Sequence, residues 1–96
     1  MGRNEILGIL RQYKNQNAEK YGLLALGVFG SVARDQAQSG SDLDIVVKMT
    51  KPDLFSMVHI KEDLEEKCHS KVDIVHYRER MNQYLKRHID QEAIYA

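Results

Sequence analysis

The sequence predicts one small α/β domain: a mixed sheet of three or more strands flanked by helices, spanning residues 1–96. Three observations carry this. Apolar runs suited to strands alternate with helical patterns along the chain. Ninety-six residues suffice for one modest core and leave little room for a second domain. No repeat, low-complexity tract or interior linker divides the chain.

Asn4 is placed to cap a first helix in which Ile6, Leu7, Ile9, Leu10 and Tyr13 recur at helical spacing, running to about Lys20. Gly22 breaks that pattern. Leu23 to Phe29 is nearly all apolar, as in a buried central strand, and Gly30 stops it. Ser31 to Gln38 has short helical composition, and Gly40 suits its end. Leu43, Ile45 and Val47 then alternate with Asp42, Asp44 and Val46, which puts the aspartates on one strand face and the aliphatics on the other. Pro52 breaks the strand and Asp53 caps a third helix, with a stripe of Leu54, Met57 or Val58, Ile60 or Lys61, and Leu64, ending near Cys68 to Ser70. Val72 to Val75 is a third, β-branched strand interrupted by Asp73. From Arg78, Met81, Tyr84, Leu85 and His88 or Ile89 mark a last helix, and Ile94 and Tyr95 form an apolar tail.

Composition excludes more than it selects. Fourteen basic and 14 acidic side chains give zero formal net charge, so no global field favours nucleic acid, and self-association is not opposed. The longest apolar run is far below the roughly 18–20 residues of a membrane helix, and the lone Cys68 fits a reducing compartment, so a soluble cytoplasmic protein is expected. The histidines lack the paired spacing of a zinc site. Tyr13, Tyr21, Tyr77, Tyr84 and Tyr95 are read as packing residues. Tyr77 shares a strand face with Asp73 and is placed to approach a nucleotide.

The chemistry-bearing residues are Gly30-Ser31 at a strand–helix junction, Asp42 and Asp44 at the start of the next strand, and Asp73 in the third. A carboxylate inside an apolar strand needs a reason, because burying it without a partner is costly. If the second and third strands are neighbours, three carboxylates converge. Their crowding raises their pKa values unless cations are present, and an all-oxygen donor set suits Mg²⁺. The free N–H groups at Ser31 and Val32 and the absence of a side chain at Gly30 suit a polyphosphate. Two Mg²⁺ ions still leave about three negative charges unbalanced among three aspartates and a triphosphate, and Arg34 is the local cation able to meet the phosphates.

Gly30-Ser31, the stretch Gly-Ser-x-Ala-Arg ending in Ser-Asp-Leu-Asp, and a later aspartate at Asp73 together resemble the DNA polymerase β-like nucleotidyltransferases, and at this length the minimal nucleotidyltransferases of prokaryotes. The resemblance implies that fold and a two-metal transfer of AMP from ATP. Asp42, Asp44 and Asp73 are then the catalytic metal ligands, and Gly30 and Ser31 bind the triphosphate. It also implies a partner: an all-helical HEPN ribonuclease toxin, with a tyrosine as AMP acceptor and this chain as antitoxin. Two other readings compete. One is a non-catalytic antitoxin that blocks its partner by binding. The other is a small-molecule transferase of the aminoglycoside-modifying kind, which usually needs a second domain.

Overall fold

A computed structural model describes residues 1–36 and 41–96. Its elements are α1 (Arg3–Tyr21), β1 (Leu23–Phe29), α2 (Gly30–Ala33), β2 (Leu43–Met49), α3 (Leu54–Cys68), β3 (Val72–His76), α4 (Gln83–Glu92) and β4 (Ile94–Tyr95). The strands form one mixed sheet in the order β3-β2-β1-β4, with β2 and β3 parallel and both neighbours of β1 antiparallel to it.

The period-2 pattern of β2 decides how the sheet is covered. Leu43, Ile45 and Val47 join Leu26 and Val28 of β1 in a core closed by Ile6, Leu10 and Tyr13 of α1 and by Ile60, Leu64 and Cys68 of α3. The opposite face is covered by α4, through a smaller cluster of Phe29, Val46 and Ile89. Asp44 emerges on that second face, beside Val46, because alternation leaves it no other direction. In the main core the Tyr13 hydroxyl donates to Asp63 at 2.7 Å. Burial, followed by that carboxylate, pushes the Tyr13 pKa far up, so the phenol stays neutral.

Several local expectations change. Gly2, not Asn4, occupies the N-cap of α1, and no side chain caps that helix; Asn4 lies exposed in its first turn. Asp53 does cap α3, accepting from the Phe55 N–H at 3.2 Å and the Ser56 hydroxyl at 2.9 Å. The buried stripe of α3 is Ile60, Leu64 and Cys68, whereas Leu54 and Phe55 are 74% and 77% exposed. At the first turn of α3, helical spacing therefore does not imply burial. Cys68 is accordingly a core residue. The second helix is shorter than its composition suggests: α2 ends at Ala33 and the chain turns through Asp35, whose φ is 58°. Gln38 and Gly40 lie outside the described residues. The last helix begins at Gln83 with Asn82 as its cap, not at Arg78. Its tail is a strand: Gly27 pairs with Tyr95 and Val28 with Ile94. A Cβ on Gly27 would sit 2.7 Å from the Ile94 carbonyl oxygen, so only glycine admits β4 this closely.

Candidate active site

The site lies where β1 ends and β2 begins. Antiparallel pairing sets Phe29 opposite Asp44, and the parallel β2–β3 ladder sets Asp44 opposite Asp73. Asp42 stands just before β2, so all three aspartates reach one end of the sheet. Their environments differ. Asp44 is half-buried, while Asp42 and Asp73 are exposed. This corrects the expectation that Asp73 is buried, because β3 is an edge strand. Burial, then the charges of Asp73 and Asp42, raise the Asp44 pKa, with Arg34 acting against them and Glu92 adding to the rise. Among the described residues, no side-chain hydrogen bond or ion pair neutralises any of the three aspartates. Nor does any group of three His, Cys, Asp or Glu side chains stand at metal-holding spacing there. The backbone thus brings the carboxylates to one edge without gathering their oxygens into a closed site. Their chemistry and unrelieved mutual charge fit a hard divalent cation.

Gly30 joins this edge to α2. Its φ of 73° lies in the left-handed region, and a Cβ there would collide with the Asp44 carboxylate. The strand-to-helix turn therefore requires glycine for conformation and for space. Ser31 follows as a half-buried residue of the first turn of α2.

Arg34 differs from expectation. It is not a free cation: Nη1 donates to both carboxylate oxygens of Glu92 at 2.9 Å, and Nε donates to Gln36 Oε1 at 3.2 Å. Burial raises the Glu92 pKa. The Arg34 hydrogen bond and charge, the Gly30 backbone N–H and His88 outweigh that effect and hold the carboxyl below its usual range. Sequence reasoning missed Glu92. The available signal was the tail: a strand at Ile94–Tyr95 paired with β1 carries Glu92 alongside Gly30. Tyr77 has the packing role expected of it, against the smaller cluster of the second face. Its hydroxyl donates to Asp90 at 2.7 Å, and its ring packs 4.6 Å from the Lys48 ammonium, toward the opposite end of β3 from Val72–Asp73.

Residues 7–95 match the family model described as polymerase beta, nucleotidyltransferase. The chain belongs to the polymerase β nucleotidyltransferase family. Membership fixes the reaction class as nucleotidyl transfer. Within the family, the chain is 38% identical over 72 residues to protein adenylyltransferase MntA of Thermococcus cleftensis, covering 74% of this chain and 73% of that protein. A solved structure of a candidate minimal nucleotidyltransferase is 33% identical, with a TM-score of 0.77, over 98% of this chain and 95% of that one. The fold also matches a chain in the complex of a tri-AMPylated Shewanella oneidensis HEPN toxin with its MNT antitoxin. There the TM-score is 0.72 and identity 18%, over 97% of this chain and 70% of that one. Among the described residues, no helix of this nucleotidyltransferase is long and apolar enough to cross a membrane.

Proposed function

We propose that this nucleotidyltransferase moves AMP from ATP to a tyrosine hydroxyl of a HEPN-type toxin and so acts as its antitoxin in the cytoplasm. The observation that carries the reading is the register of Asp44 against Asp73, with Gly30 held open beside them. The Thermococcus cleftensis relative, named a protein adenylyltransferase, and the fold shared with the partner of an AMPylated HEPN toxin support protein as the acceptor class.

In this reading Asp42, Asp44 and Asp73 would hold two Mg²⁺ ions, with Asp73 serving the acceptor hydroxyl. Mg²⁺ bound there would supply Lewis-acid chemistry, lowering the pKa of the acceptor hydroxyl and offsetting the charge of the pyrophosphate leaving group. The residues of the chain do the positioning. Gly30 leaves room for a phosphate against the backbone, Ser31 donates its hydroxyl to a phosphate oxygen, and Arg34 supplies a planar cation. The exposure of Asp73 on an edge strand leaves its side open for a protein-borne tyrosine. No covalent enzyme intermediate is required.

Calorimetric titration with ATP tests the site. Binding is expected with Mg²⁺ and is lost, by about tenfold or more, without it or in Asp42→Ala, since each step of ~1.4 kcal/mol is tenfold. Equal binding by wild type and Asp42→Ala would remove Asp42 from the metal site.

A further inference from the structure

Glu92 lies outside the set of residues assigned to chemistry, yet it engages Arg34, a group assigned to the triphosphate. Arg34 Nη1 spans both of its oxygens at 2.9 Å. The Gly30 backbone N–H is near enough to help hold its carboxyl below the usual range. The pairing of β4 with β1 brings the end of α4 to this end of β1. The β1–β4 ladder pairs Val28 with Ile94 and Gly27 with Tyr95, and continuing that register sets Gly30 against Glu92. The C-terminal end of α4 delivers the side chain to the same point, and the Ala96 N–H donating to Leu26 at 2.8 Å fixes the strand that follows. The Glu92 side chain is 18% exposed, against 44% for Arg34, so the carboxylate is the more confined partner.

A carboxylate that accepts from a guanidinium presents to it what a phosphate oxygen would present. Its charge also adds to the repulsion already felt by Asp44. We propose that Glu92 is an internal counter-anion that occupies the phosphate-binding guanidinium of Arg34 in the free protein and must yield it to the incoming triphosphate. The inference rests on the reading of Arg34 as a triphosphate ligand. It makes nucleotide affinity the difference between two anions competing for one cation, with the C-terminal strand setting the strength of the resident one. Arg34 is thereby kept ordered before substrate arrives, at the cost of weaker binding.

The test is calorimetry with α,β-methylene-ATP and Mg²⁺, an analogue whose α–β bond is not cleaved by transfer. Wild type, Glu92→Gln, Arg34→Ala and the double variant are compared. Glu92→Gln keeps the shape while removing the charge, and should bind roughly tenfold tighter, as expected for removing a like charge beside a polyphosphate. With Arg34→Ala already present, the same change should gain less than about threefold, because the contested cation is gone. Glu92→Ala, with a melting curve recorded for each variant, serves if the glutamine variant fails to fold. Binding by Glu92→Gln equal to or weaker than wild type overturns the proposal, since Glu92 would then be orienting Arg34 for the phosphates. Loss of binding in all four proteins, wild type included, would instead reject the nucleotide site itself.

Discussion

Asp44→Asn should lower AMP transfer by about a thousandfold, equivalent to roughly 4 kcal/mol of transition-state stabilisation, while raising the melting temperature of the metal-free protein. The two effects have one cause. Asp44 is the most enclosed of the three aspartates, set directly between Phe29 and Asp73 in the sheet. Burial and the charges of Asp73 and Asp42 raise its pKa in the fold. The folded state therefore binds a proton more tightly than the unfolded chain. In the window between the ordinary carboxylate pKa and the raised one, stability falls as pH increases, and above that window the full cost of the charge is present. An amide of the same shape removes that cost and the metal-binding charge together. Thermal melts in chelator from mildly acidic to neutral pH, paired with transfer assays, check both halves. The stability advantage of Asp44→Asn over wild type should grow as pH rises through that window, a difference in which the opposite contribution of Glu92 cancels.

Gly30→Ala should cost about 1–2 kcal/mol of stability from its left-handed backbone alone, and more from the collision with Asp44. The functional loss should exceed what stability explains. The new methyl group displaces the Asp44 carboxylate, and a shift of about 1 Å at a reacting centre can cost roughly a hundredfold in rate. Transfer assays well below the melting temperature, where the variant is folded, separate the two contributions. Near-normal transfer by a folded Gly30→Ala protein would mean that the close approach of Gly30 to Asp44 is not needed for chemistry.

Much of this fold was legible because β1, β2 and β3 carry their burial in their own sequences. The alternation of Leu43, Ile45 and Val47 with Asp44 and Val46 fixes which face holds the carboxylate, whatever the neighbours. The convergence of Asp42, Asp44 and Asp73 followed from that pattern once β2 and β3 were neighbours. The burial of Asp73 did not, because an edge position is a property of strand order and no feature of Val72 to Val75 records it. The same limit hid β4. Two residues have no period, and Ile94–Tyr95 becomes a strand only through the gap that Gly27 leaves in β1. Missing β4 meant missing Glu92, and so Arg34 was read as an unengaged cation. Leu54 failed as a core residue for a similar reason: helical spacing gives a face, but only the position of the helix over the sheet says where that face stops being covered.

The central claim, transfer of AMP to a protein hydroxyl, is tested most directly by intact-mass spectrometry of a purified HEPN partner after incubation with this nucleotidyltransferase, ATP and Mg²⁺. The account predicts a mass increase by whole adenylyl units, localised to tyrosine on fragmentation, absent with Asp44→Asn and accompanied by loss of the partner's ribonuclease activity. An unchanged partner mass with full neutralisation of its ribonuclease, by wild type and Asp44→Asn alike, would contradict it and leave a protein that acts by binding alone.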